Sequence, residues 1–269
     1  ARLMEIEQRL DRLHRLSRKY GGSLDAMLVL QDSLRAQLAQ LDTAETRLQD
    51  LATAVEDAAR RVGELAGRLS RKRIDAAKKL TTQVTKELSA LRMERTRFAV
   101  EVLPLPGETS YGQMGHDAVE FVFSANPGEP LKPLAKVASG GELSRVMLAL
   151  KTILAESDRV PVLIFDEVDA GVGGAVAEVM GTRLRDLSRH HQVLCVTHLP
   201  QVGSQAHAHY LVEKQVRQQR TVTQVRLLTE REREEEVARM LAGVTVTNSA
   251  RAAAAEMIGS AKERRARSD

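Results

Sequence analysis

Hydrophobic and polar positions along the chain fall into two regimes. In the first, apolar residues recur at Leu34, Leu41, Leu48, Val55, Val62, Leu69 and Ala76, one every seven positions without a miss. Leu38, Ala44, Leu51, Ala58 and Leu65 fill much of a second seam, which Gln37 and Glu45 interrupt. A strict seven-residue repeat predicts a coiled coil, because it keeps one apolar seam turned toward a partner helix. Ahead of it, Leu3, Ile6, Leu10, Leu13 and Leu16 mark a short amphipathic helix. Gly21 and Gly22 break that helix, and Ser23 is placed to cap the next one. The pattern therefore predicts a helical arm over residues 1–97: a short helix 2–19, a turn 20–23 and a long helix 24–97. At about 1.5 Å per residue, the stretch from Leu24 to Met93 would be on the order of 100 Å long if unbroken. The short helix cannot cover so long a seam, and the chain opens already inside a helical pattern. The expectation is an antiparallel partner helix supplied from upstream or from outside the chain.

Beyond residue 97 the period changes. Residues 98–103 and 118–123 alternate as half-buried strands do, with Pro104, Pro106 and Gly107 between them. Residues 162–165 and 193–196 are short, branched apolar runs of the kind found in buried parallel strands. A helix over 175–189 would join them in a β-α-β unit. Residues 210–214 and 221–228 read as a hairpin, and 234–241 and 249–260 as closing helices. Residues 98–269 are thus expected to form an α/β head with a mostly parallel sheet flanked by helices.

Candidate chemistry concentrates between Lys136 and Pro200. The run 162–165 ends in Asp166 and Glu167, and ligands of open parallel sheets gather at the carboxyl ends of strands. An Asp there suits Mg²⁺ on a nucleotide, and an adjacent Glu suits polarising a water; the plainer and weaker alternative is that both acids begin a loop and cap the next helix. Ser139, Gly140, Gly141 and Glu142 precede an apolar helical stripe, so they leave backbone N–H groups open to an anion at a helix N-terminus. The same residues fit a plain N-cap, with Glu142 completing a capping box. His198 follows the strand 193–196, at the sheet edge that carries Asp166 and Glu167.

The order Ser-Gly-Gly-Glu, strand with Asp-Glu, strand with His resembles the C-terminal lobe of an ABC-type ATPase head. Within that superfamily it is similar to the SMC-like bacterial DNA-repair proteins. The residues that carry the likeness are Ala138 to Arg145, Ile164 to Gly174 and Cys195 to Gln201. The resemblance implies ATP and Mg²⁺ as cofactors, with Asp166 holding the metal, Glu167 as catalytic base and His198 as catalytic switch histidine. It implies that Ser139, Gly140, Gly141 and Glu142 contact ATP held by a second head, with Asp169 and Gly171 in the nucleotide-binding loop that crosses between heads. Ala138 stands where many such proteins have Leu, and Gly173 where many have Asp.

No Gly-Lys pair, and hence no phosphate loop, occurs anywhere in the 269 residues. In the resembled family that loop belongs to an N-terminal lobe. The expected partners are accordingly that N-terminal lobe with its helix, a second head in an ATP-dependent dimer, and DNA, at ends or single-stranded regions. Alone, the chain is expected to hydrolyse ATP negligibly. Net charge is +4, with basic runs at Arg68, Arg71, Lys72, Arg73, Lys78 and Lys79 and at Lys262, Arg264, Arg265 and Arg267. Such a surplus permits nucleic-acid binding without demanding it, and a solvated helix face explains each run equally well. Aromatics are only 3% of the chain, which argues for helices rather than an all-β fold. A single Cys195, no apolar run of about 20 residues and no secretion signal lead us to expect no membrane partner and a cytoplasmic, nucleoid-associated location. An ABC transporter subunit and a coiled-coil tether with an inactive head remain as alternatives. The heptad arm argues against the first, and intact Asp166, Glu167 and His198 against the second.

Overall fold

The computed structural model describes residues 2–107, 111–136, 139–217 and 220–266. Ala138 and Arg267, which the sequence singled out, lie outside the described residues. Two compact units divide the chain between Leu69 and Ser70.

The first unit holds α1 (Arg2–Tyr20) and most of the heptad-bearing part of α2 (Leu24–Ala90). Between them Gly21 adopts φ +140°, a backbone conformation closed to most side chains. Ser23 Oγ then accepts the Ala26 amide at 3.1 Å, capping α2. The seam is formed but uncovered: Leu41, Leu48 and Val55 are each about two-thirds exposed, at 66%, 67% and 66%.

The second unit begins inside α2. Here the row Ser70, Ala77, Val84 and Leu91, again seven apart, turns inward. Val84 and Leu88 are buried against Phe98 of β1 (Arg97–Pro104), Phe123 of β2 (Asp117–Ser124), and Val146 and Leu150 of α3 (Gly140–Leu154). The helix expected to reach residue 97 stops at Ala90, because Leu88 and Leu91 are drawn into two different cores and the chain must turn between them. Arg92 at φ +57° and the Met93 amide bonded to the Leu88 carbonyl at 2.9 Å make that turn. The unit boundary likewise falls at 69/70, not 97/98, since the last turns of α2 pack as part of the head. Asp117 fixes them further by accepting from Ser70 Oγ at 2.9 Å and Arg73 Nη1 at 3.1 Å.

Strand pairing corrects the expectation of a mostly parallel sheet. Among the described residues, β1, β2 and β3 (Lys132–Pro133) form an antiparallel sheet, and β6 (Tyr210–Arg217) and β7 (Arg220–Leu227) an antiparallel hairpin. Only β4 (Val162–Phe165) and β5 (Gln192–Cys195) pair in parallel. Nor are these two strands buried on both faces. Leu163 and Phe165 pack into a core with Val168 and with Ala177, Met180, Leu184 and Leu187 of α4 (Gly174–Leu187), whereas Ile164 is 72% exposed and Leu194 48%. The apolar run gave strand type correctly, but an unbroken run carries no sign that one face lacks a cover.

A short α5 (Pro200–Gly203) follows, and α6 (Glu230–Ala242) and α7 (Asn248–Ala266) close the chain around Val237, Ala238, Ala254 and Ile258. Thr229 and Glu232 form a capping box at the start of α6. Hydrogen bonds from the Thr229 amide, the Thr229 hydroxyl and Arg226 hold the Glu232 carboxyl down at about 2. Among the described residues no helix is long and apolar enough to cross a membrane.

Candidate nucleotide site

Parallel pairing sets the geometry. Phe165 lies opposite Cys195, and the Val196 amide donates to the Phe165 carbonyl at 3.0 Å. Asp166 and Thr197 therefore leave adjacent strands at the same rim, the carboxyl end where α/β sheets bind ligands. Asp166 is exposed, and its Oδ1 accepts the Glu167 amide at 2.9 Å. Glu167 is exposed and sits at φ +55°, a conformation that costs a non-glycine residue about 1–3 kcal/mol and clusters at functional sites.

That backbone turn aims the Glu167 carboxylate at the start of α3. A Cβ added to Gly140 would collide with Glu167 Oε2, and one on Gly141 would press on the Glu167 carbonyl at 3.1 Å and Ala170 Cβ at 3.0 Å. Gly141 thus sits in close approach to fixed atoms, whereas the neighbour of Gly140 is the end of a flexible, exposed side chain that can move aside. Ser139 is exposed and accepts the Glu142 amide at 3.4 Å, so it caps α3, as a simple cap rather than a capping box. Glu142 is half-buried on the first turn. Gly171, at φ +69° and exposed, lets the loop after β4 turn toward α4.

Asp169 is placed differently from the other acids. Expected among the nucleotide contacts, it is 4% exposed and turned into its own lobe. Its Oδ2 accepts from Thr197 Oγ1 at 2.6 Å and from the His198 amide at 3.0 Å, and lies 3.1 Å from His198 Nδ1. These contacts meet at one carboxylate because the loop after β4 lies against the segment that follows β5. The His198 side chain, by contrast, is 73% exposed. Burial, then the negative charges of Asp169 and Asp166, push the neighbouring Cys195 thiol up to about 12, which keeps it protonated and unreactive.

Two further residues join the site that sequence reading left without a role. Ser144 Oγ donates to the Asp166 carbonyl at 2.8 Å, and Arg145 Nη1 to the Ala170 carbonyl at 2.8 Å. They tie the first turns of α3 to the loop after β4. The only sequence signal was their place within the quoted motif.

No group of three or more His, Cys, Asp or Glu side chains among the described residues could hold a metal alone. Asp166 offers a single exposed carboxylate, which fits Mg²⁺ arriving on a nucleotide, an ion that takes one or two carboxylates plus phosphates and waters.

The fold is that of part of an SMC head domain with its helical arm. The head domain of Smc with a coiled coil and joint from Pyrococcus yayanosii superposes with a TM-score of 0.54 at 15% identity, covering 87% of this chain and 42% of that one. At the level of sequence the chain is similar to the C-terminal portion of RecN proteins. It is 42% identical over 258 residues to the DNA repair protein RecN of Halalkalibacterium halodurans, covering 96% of this chain and 46% of that protein. To RecN of Bacillus subtilis it is 38% identical over 274 residues, covering 97% and 48%, and to RecN of Mycobacterium bovis 43% over 267, covering 93% and 45%. The chain thus spans about half the length of the curated relatives it matches. No family model matches it.

Proposed function

We propose that the chain is the C-terminal part of an SMC-like ATPase that acts on the chromosome, in the cytoplasm, in double-strand break repair and recombination. The observation that supports this most is the exposed grouping of Asp166, Glu167 and His198 at the carboxyl ends of the β4–β5 pair. In this reading Asp166 holds Mg²⁺ and Glu167 orients and deprotonates a water, while His198 stands beside the transferred phosphate. Bound Mg-ATP supplies the electrophilic phosphorus. Ser139, Gly140 and Gly141 present the N-terminus of α3 outward, toward a nucleotide on a second head. Glu167 now points at Gly140, so it must swing out for that docking. A phosphate loop, absent from this chain, comes from a separate lobe, and the exposed seam of α2 takes that lobe's helix.

A basic face on α2 supports a nucleic-acid partner. Lys72, Lys79 and Lys86 recur every seven residues, flanked by Arg71 and Lys78, and all five are exposed. They lie opposite the inward row of Ser70, Ala77 and Val84. Asp75 is the one acid between Arg71 and Lys86 on that exposed face. Cations so placed suit a phosphate backbone and carry no base-reading information.

The test is ATP turnover by the complete polypeptide, chain plus complementary lobe. Glu167→Gln is expected to lower kcat by about 10²–10⁴-fold, with nucleotide binding retained. This chain alone is expected to hydrolyse negligibly. Replacing Lys72, Lys79 and Lys86 with Ala is expected to weaken DNA binding and flatten its salt dependence, by about 0.9 in log–log slope for each phosphate that is no longer neutralised. A complete polypeptide without ATPase activity would sink the reading.

A further inference from the structure

We propose that Asp169 is a positioning residue for His198: it fixes the orientation of the imidazole and its Nδ1–H tautomer, so that Nε2 is the nitrogen presented to the site. The inference rests on the ATPase reading for its purpose, but its geometry stands apart from it. Asp169 and His198 lie on two loops, 29 residues apart, that leave adjacent parallel strands. One oxygen, Oδ2, gathers Thr197 Oγ1, the His198 amide and His198 Nδ1 at 2.6, 3.0 and 3.1 Å. A carboxylate only accepts, so the hydroxyl and the amide donate; a bare Nδ1 lone pair 3.1 Å from that oxygen would be repelled by it, which places the ring proton on Nδ1. The hydroxyl of Thr197 accepts in turn from the Leu199 amide at 3.0 Å, which fixes the loop on the far side of the histidine.

Burial makes the arrangement rigid at one end and open at the other. The Asp169 side chain is 5% exposed and the His198 side chain 73%. A buried carboxylate held by two short donors has little freedom to turn, whereas the imidazole beside it projects into solvent at the rim that carries Asp166 and Glu167. Those two acids stand only three and two residues before Asp169 in the same loop. One carboxylate therefore ties the histidine to the segment that bears the proposed base.

The tautomer has a chemical consequence. With the proton on Nδ1, the exposed Nε2 of a neutral ring is an acceptor. An acceptor pairs with a water or with a protonated phosphate oxygen, and not with a fully ionised one. His198 would then help Glu167 orient the water instead of clasping the phosphate as an anion. Without Asp169 the ring would turn freely and populate both tautomers, as imidazole in water does.

Nitrogen-15 NMR of selectively histidine-labelled chain tests this directly. The chain has seven histidines, and His198→Gln assigns the signal in question. The expected result, read at a pH high enough for the neutral form, is a His198 ring protonated at Nδ1, with Nε2 bare. Asp169→Ala is expected to shift the ring to a mixture of tautomers, whereas Thr197→Val, which removes one donor and leaves the carboxylate, keeps it on Nδ1. A wild-type ring protonated at Nε2 overturns the proposal, even where the alanine variant fails to fold. In the complete polypeptide, Asp169→Ala is expected to lower kcat about tenfold or more with KM nearly unchanged. A wild-type kcat in that variant also overturns it. If the wild-type complete polypeptide shows no turnover while the tautomer is as stated, the ATPase reading fails and the positioning role stands.

Discussion

The long helix α2 carries a seven-residue apolar repeat in both of its parts, and the two parts meet opposite fates. Up to Leu69 the row Leu34, Leu41, Leu48, Val55, Val62 stands in solvent. From Ser70 the row shifts by one position, to Ala77, Val84 and Leu91, and vanishes into the head. The shift turns the apolar face by about 100° around the helix. A heptad pattern therefore specifies that a face is to be covered, without saying whether the cover is another helix or the side of a globular lobe.

The comparison breaks most readily at Leu88. It is 1% exposed between Val84, Phe98 and Phe123, so Leu88→Ala should cost about 2–5 kcal/mol in urea unfolding of the head. A loss no larger than that of an arm leucine would show that the last turns of α2 are arm after all.

The next effect is one of pH. Burial by itself would raise the Asp117 carboxyl, but hydrogen bonds from Ser70 and Arg73 and the nearby His116 and Arg73 charges outweigh it and hold it below the usual carboxylate range. A folded value depressed in this way contributes stability that is fully present above about pH 4, the unfolded value, and is lost as pH falls through the folded one. Melting temperature should therefore fall more steeply below pH 4 in the wild type than in Asp117→Asn, which is already weakened at neutral pH. Parallel curves for the two would mean that Asp117 does not anchor α2.

Smallest of all is the arm. Leu48 is 67% exposed, so Leu48→Ala in this chain should change stability by no more than about 0.5 kcal/mol. In the complete polypeptide the same substitution should cost several times more, because there the seam would be covered. Equal effects in both would argue that no helix packs on it.

Much of the site could be read from residues alone, and the reason is local. Asp166, Glu167 and His198 each stand within two residues of the end of an apolar run, so strand type fixed their place at a strand end. Gly140 and Gly141 stand at a helix start that the stripe after them announces. Asp169 was misread because nothing in its own neighbours tells an outward acid from an inward one. Its donors, Thr197 and His198, lie 28 and 29 residues away. The exposed faces of β4 and β5 were missed for a similar reason, since Val162, Leu163, Ile164 and Phe165 are equally apolar whether one side is covered or both.

Element type, their order and the seven-residue spacing are properties of residues a few positions apart, and the sequence alone determined them. Tertiary structure decided where α2 stops being arm, which acid turned inward to grip the histidine, and that the Glu167 carboxylate lies against Gly140. Those outcomes depend on which distant segments come to share a core or a hydrogen bond, and a local pattern of side chains holds no record of its future neighbours.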